Sequence, residues 1–164
     1  MSKKVIIIRH AKSSWSQTGL ADFDRPLNER GLKDALFMAN RLRDLGEIPE
    51  ILISSNANRA QSTAKYFAEI LDKPLELNSS LYHGYPEDYL NALSELSDDI
   101  KMVALFGHNP GITYIANMIS QGCTDNIPTC GIIIAQTNLN SWASLNWKDF
   151  KLESLLFPKK DNND

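Results

Sequence analysis

Four successive β-branched residues, Val5-Ile6-Ile7-Ile8, run directly into the cationic pair Arg9-His10. An unbroken apolar run of this length leaves no face for water, so it reads as a strand covered on both sides in a mostly parallel sheet. The pattern recurs. Asn28 can cap a helix carrying Leu32, Ala35, Leu36, Ala39, Leu42 and Leu45, with Gly46 able to end it. Ile51-Leu52-Ile53 forms a second strand, followed by the turn Ser54-Ser55-Asn56 and a helix with Ala60, Ala64, Phe67, Ala68 and Leu71 on one face. Leu75-Glu76-Leu77 is a weak strand and Glu87 to Leu96 a short helix. Met102 to Phe106 is a strand, Gly107 to Gly111 a turn, and Ile112 to Ile119 a helix with Pro110 near its start. Ile132 to Ala135 and Trp142 to Trp147 are expected as later, antiparallel strands. The alternation predicts an α/β protein, a three-layer α/β/α sandwich with a mostly parallel central sheet and no large helical insert.

A chain of 164 residues suits one core, so residues 1–158 are expected to form a single domain and residues 159–164 a polar tail. Residues 11–28 lack periodicity and read as a loop over a site. Seventeen basic and twenty acidic side chains give a net charge of -3, which supplies no field for nucleic acid or a membrane surface. An anion site has to be built locally. Cys123 and Cys130 match no zinc-ligand spacing and read as ordinary small residues. The apolar run after Lys3 and Lys4 is too short for a signal peptide or membrane span, so a cytoplasmic location is expected.

In open α/β sheets ligands bind beyond the carboxyl ends of the strands, and there the sequence is unusual. Arg9 and His10 end the first strand, Arg59 lies just past the second, and His108 follows the strand at Met102 to Phe106. Two of the three histidines thus occupy equivalent positions. Singly, each of these side chains could be a packing or surface residue. Together they concentrate positive charge in a way that suits a tetrahedral oxyanion, because a guanidinium fork matches two phosphate oxygens. The chain has no phosphate-binding G-x-x-x-x-G-K-[ST] loop, and neither cysteine is followed by the arginine a cysteine phosphatase requires. Arginines at the strand ends would also repel a catalytic cation, leaving a metal-free site as the expectation.

Arg9-His10-Ala11-Lys12-Ser13, then Ser54-x-x-x-x-Arg59-Ala60-x-x-Thr63-Ala64, then Gly107-His108-Asn109-Pro110 resemble the histidine phosphatase superfamily, in its short SixA-like phosphohistidine phosphatase branch. The likeness runs from about Lys3 to Ala135. It implies a phosphoglycerate mutase-like fold, a phosphohistidine intermediate, and no metal or organic cofactor. By position, His10 matches the family nucleophile, and Arg9, Arg59 and His108 match its phosphate pocket. Ser13, Ser14 and Asn109 could add hydrogen bonds to phosphate or simply order the loops. Where larger members carry a glutamate as general acid, this chain has His83. His83, Asp22 or Asp24 could donate the proton, or the substrate needs little protonation. Imidazole leaves more readily than an alkoxide, which favours phosphohistidine on a protein as the substrate. Small phosphate esters such as sugar phosphates, or phosphate recognition without turnover, stand as alternatives. Phosphate or sulfate is expected to occupy the pocket. Trp15, Trp142 and Trp147 read as core residues without a functional role.

Overall fold

A computed structural model describes residues 2–158; the polar tail expected at 159–164 lies outside the described residues. Six strands form one sheet in the order β3-β2-β4-β1-β5-β6: β1 (Lys3–Arg9), β2 (Ile51–Ser54), β3 (Leu75–Leu77), β4 (Met102–Gly107), β5 (Ile132–Thr137) and β6 (Lys151–Leu156). β1, β2, β3 and β4 run parallel, whereas β5 is antiparallel to β1 and β6 antiparallel to β5. The run that opens the chain is thus the central β1, flanked by β4 and β5.

Alternation along β1 divides the core, because successive side chains of a strand face opposite ways. Val5 and Ile7 pack with Tyr89, Leu93, Ile112, Ile115, Trp142 and Trp147 on the face covered by α3 (Pro86–Ser94) and α4 (Gly111–Ile119). Ile6 and Ile8 pack with Ala35, Met38, Leu42, Ala64, Phe67 and Leu71 on the face covered by α1 (Glu29–Asp44) and α2 (Asn58–Leu71). This is the α/β/α sandwich expected from the alternating pattern.

Two local readings need correction. On α1 the buried stripe is Gly31, Ala35, Met38, Ala39 and Leu42, whereas Leu32, Leu36 and Leu45 face solvent. The helical period is right, but the stripe centres on Met38. Residues 142–147 form no strand: Trp142–Ser144 and Trp147–Asp149 are 3-10 turns, and the last strand follows at Lys151. Side-chain bonds to the backbone, one tertiary and one local, outcompete a ladder here. The Asp98 carboxylate accepts from the Trp142 backbone at 2.9 Å, and Asp149 accepts from the Asn146 backbone at 2.8 Å. Both indole N–H groups donate to backbone carbonyls, of Ile100 at 2.8 Å and Pro86 at 3.0 Å.

Helix α1 also holds the segment that follows β1. The Asn28 side chain accepts from Gly31 N–H at 2.8 Å and caps the helix, while Asn28 N–H donates to the Lys12 carbonyl at 3.0 Å. A Cβ on Gly31 would stand 2.1 Å from that same carbonyl oxygen. Gly31→Ala should therefore be destabilising. Alanine gains up to about 1 kcal/mol of helix propensity, but overpacking against fixed backbone costs roughly 1–3 kcal/mol. Urea unfolding of the variant tests this, and a net gain in stability would show that helix and loop can separate freely.

Candidate active site

Parallel pairing sets Arg9 of β1 opposite Gly107 of β4, so the residues that follow, His10 and His108, leave the sheet side by side. Their ring centroids are 5.2 Å apart. Arg59 enters from the first turn of α2, next to β2. Arg9, His10, Arg59 and His108 line one cleft of about 260 Å³, joined by Lys12, Ser13, Trp15, Arg25, Asn109 and Thr129. His10, Arg59 and His108 are each less than a tenth exposed.

His10 is held by its own neighbour: Nδ1 lies 2.8 Å from the Ala11 carbonyl oxygen. A carbonyl only accepts, so Nδ1 carries the proton and Nε2 keeps its lone pair. Arg59 Nε–H points at that lone pair from 3.4 Å. Ala11 N–H donates to Thr63 Oγ1 at 3.0 Å, and that hydroxyl donates to the Arg59 carbonyl at 2.8 Å. The histidine and the arginine are thereby fixed to one another through backbone.

His108 N–H donates to the Tyr89 hydroxyl at 3.1 Å, and His108 Nε2 meets Ser55 Oγ at 2.8 Å. Its Nδ1 is buried and without a hydrogen-bond partner. Arg9 donates through Nη1 to the Ile127 carbonyl at 2.9 Å, while its Nε is likewise buried and unpartnered. Burial pushes the His10 imidazole down to about 3, and the guanidinium groups of Arg59, Arg9 and Arg25 push the same way. Burial, then His10 and Arg59, lower His108 to about 3. Both rings are neutral at physiological pH.

The sequence missed Arg25. Only 8% exposed, it donates to Ser13 Oγ, to the Ser14 carbonyl at 3.2 Å and to Asp22 Oδ1 at 3.1 Å. Its place in the aperiodic segment over the strand ends was the available signal. Ser55 was missed too, although it lies in the turn directly after β2. Trp15 departs from its expected core role: it is 77% exposed, with the Arg25 guanidinium carbon 3.2 Å from its ring centroid. Trp142 and Trp147 are buried core residues.

Asp22 reaches Arg59 from outside the cleft. Arg59 donates through Nη1 to the Asp22 carbonyl at 2.7 Å and through Nη2 to Asp22 Oδ2 at 3.0 Å. The Tyr82 hydroxyl donates to the same Oδ2 at 2.7 Å. Burial raises the proton affinity of Asp22, but bonds from Tyr82, Arg25 and Arg59 outweigh it and hold the carboxyl well below the usual carboxylate range. Asp24 is exposed, its carbonyl accepting from Asn58 at 3.1 Å. His83 is exposed in the left-handed region at φ 59° and stacks on Tyr82, the ring centroids 4.0 Å apart. None of these three lines the cleft. Asn109 does, but its amide is spent on Asn126, Ile127 and Thr113, so it builds the wall. The hydroxyl proton of Ser13 remains available for a ligand, because Arg25 uses its oxygen as an acceptor.

Among the described residues, no group of three or more His, Cys, Asp or Glu side chains is placed to hold a metal ion. No helix among them is long and apolar enough to cross a membrane. Cys123 and Cys130 are free thiols, and burial pushes that of Cys130 far up.

Residues 5–83 match the family model described as histidine phosphatase superfamily (branch 1). An uncharacterised chloroplastic protein of Arabidopsis thaliana is 35% identical, the alignment covering 96% of this chain and 79% of that protein. Among solved structures, a SixA protein from Agrobacterium tumefaciens superposes with a TM-score of 0.82 at 24% identity, covering 96% of this chain and 99% of that one. The protein histidine phosphatase SixA complexed with tungstate gives 0.75 at 23% identity, covering 93% and 96%.

The two lowered imidazoles make stability depend on pH. Each takes its proton near 6.5 when unfolded and at about 3 when folded. Between these values acid protonates the unfolded chain alone, so stability present above pH 6.5 is lost as the pH falls. Each histidine contributes a slope of about 1.4 kcal/mol per pH unit once well below 6.5. Urea unfolding from pH 7 to 4.5 should show this fall, with a shallower slope in His10→Gln and in His108→Gln. Equal slopes in all three proteins would mean the rings are not buried neutral.

Proposed function

The chain belongs to the histidine phosphatase superfamily, and within this family of phosphatases we propose that it removes the phosphoryl group from phosphohistidine on a protein, through a phosphohistidine intermediate at His10. One observation carries the reading. The Ala11 carbonyl fixes the proton on Nδ1 of His10 and leaves the Nε2 lone pair in a cleft lined by guanidinium groups.

In this reading, His10 Nε2 attacks phosphorus as the substrate P–N bond breaks, and the leaving imidazole nitrogen gains a proton. Water then attacks the phosphoenzyme, the His10–P bond breaks, and inorganic phosphate departs. Most of the catalysis comes from placing charge around the equatorial oxygens. Arg9 Nε and His108 Nδ1, both buried without partners, are suited to those oxygens. For His108 to donate from Nδ1 as a neutral ring, its Nε2 must accept from Ser55 Oγ–H, which makes Ser55 the residue that sets its tautomer. Tungstate in the SixA complex supports a tetrahedral oxyanion as the ligand here, whether phosphate, sulfate or the transferred group.

The surroundings favour imidazole as leaving group. Asp22 accepts three side-chain bonds and remains ionised, which suits it to hold Arg59 rather than to give a proton. His83 stays a donor candidate one ring away, since it stacks on Tyr82, whose ring sits 5.4 Å from that of His108. A substrate with an easily displaced group needs such a donor least. The cleft, about 260 Å³, is smaller than sites that enclose a drug-sized ligand. It therefore takes the phosphoryl group and its first neighbour while the rest of the substrate stays outside.

Incubation with a protein phosphorylated on histidine should give free phosphate and transient label on His10, both abolished in His10→Ala. Arg59→Ala should lose on the order of a thousandfold in turnover, by analogy with arginines that neutralise transferred phosphoryl groups. EDTA should leave the rate unchanged. Turnover of small sugar phosphates at comparable rates would move the assignment to a broad phosphatase, and binding without label would reduce the protein to a recognition module.

A further inference from the structure

Trp15 stands in water at the mouth of the cleft, yet it is not loose. Ser13 pairs with Leu27 in an antiparallel bridge, and Ser14 N–H donates to the Pro26 carbonyl at 2.8 Å. On the other side, Ser16 N–H donates to Ser14 Oγ at 3.1 Å, and the two serine hydroxyls lie 2.7 Å apart. One face of the indole is covered by Arg25, itself fixed by Ser13, Ser14 and Asp22. With 77% of the residue exposed, the opposite face is open.

An indole is among the costliest side chains to leave in water, and the two other tryptophans are buried. Here the exposed one is braced from both sides and lines the same cleft as His10. We infer that the open face of Trp15 is a stacking platform for the leaving group, and that the site selects substrates whose phosphoryl group is attached directly to a flat, uncharged aromatic ring, such as imidazole. This rests on the assignment of the cleft as a phosphoryl site and adds what that assignment does not specify, the residue that reads the other side of the scissile bond.

The physical case has three parts. A preordered ring loses little freedom when it is covered, so its contact energy is kept as affinity. Stacking on an aromatic side chain tolerates any ring, because it reads a π face rather than a hydrogen-bond pattern. A guanidinium on the far face already uses the attraction of the indole for cations, which leaves the near face better matched to a neutral ring than to a second cation.

Binding of methylphosphonate, cyclohexylphosphonate and phenylphosphonate, none of which can be hydrolysed, tests this independently of turnover. Calorimetry is run at a pH where all three are dianions, on the intact protein and on Trp15→Ala and Trp15→Phe. Phenylphosphonate should bind about tenfold tighter than methylphosphonate, in line with the alanine-scan effect of one aromatic stack, and should exceed cyclohexylphosphonate. The phenyl-to-methyl ratio should fall to near one in Trp15→Ala and largely persist in Trp15→Phe. A ratio unchanged in Trp15→Ala, including equal weakening of every probe, overturns the platform. So does cyclohexylphosphonate matching phenylphosphonate. Binding of methylphosphonate without aromatic preference overturns the platform alone, whereas binding of none of the three overturns the phosphoryl-site reading with it.

Discussion

The site depends on the parallel pairing of β1 with β4. Arg9 opposite Gly107 sends two consecutive strand exits, His10 and His108, into the same space. Strands buried on both faces have no polar alternation to specify register, so shape has to do it. Gly107 is where that happens. A Cβ there would stand 2.0 Å from the Tyr89 hydroxyl, which accepts from His108 N–H. Only glycine lets α3 approach closely enough for its tyrosine to fix the second histidine. A packing constraint in the core thus becomes a positional constraint on the chemistry.

That convergence has an energetic cost, and how it is relieved explains the protonation state of the two imidazoles. Two unit charges 4 Å apart interact by about 4 kcal/mol at an effective dielectric of 20, so Arg9, Arg25 and Arg59 cannot share a cleft without compensation. Backbone carbonyls of Ile127, Ser14 and Asp22 take some of their N–H groups, and the Asp22 carboxylate pairs with Arg25 and Arg59. The imidazoles contribute by staying neutral. A nucleophilic nitrogen needs that neutral state. The same burial and positive surroundings that weaken the fold in acid keep a lone pair on His10 Nε2 at neutral pH.

The framework was legible because burial on both sides writes itself into β1, β2 and β4 as continuous apolar runs, and because turn residues mark where those strands end. Placing Arg9, His10, Arg59 and His108 at strand ends needed only that framework. Three things were not legible. The 3-10 turns at Trp142 and Trp147 depend on carboxylates of Asp98 and Asp149 reaching backbone N–H groups, a tertiary and a capping effect respectively. The outward face of Leu32, Leu36 and Leu45 depends on which side of α1 meets the sheet. Arg25 and Trp15 lie in a segment without periodicity, where neither burial nor exposure leaves a repeating signature.

Strand ends and loop then divide the labour. Arg59 has five N–H groups. One faces His10 Nε2, one donates to the Asp22 carbonyl and one to the Asp22 carboxylate, so two of the five lie beyond these bonds. Asp22 therefore sets the plane of the fork from outside the cleft without using it up. The charge of Arg59 comes from α2, whereas its orientation comes from the loop at residues 11–28, which also supplies Arg25 and Trp15. On the proposed reading, most of the phosphoryl charge is met by groups anchored in the sheet and its adjoining helix, with Ser13 and Arg25 of the loop beside them, and the leaving group is met by Trp15. On that reading the two can vary separately: a change at Trp15 can alter which leaving group is held while His10, its tautomer and its neutral state are preserved by Ala11, Gly107 and the core beneath them.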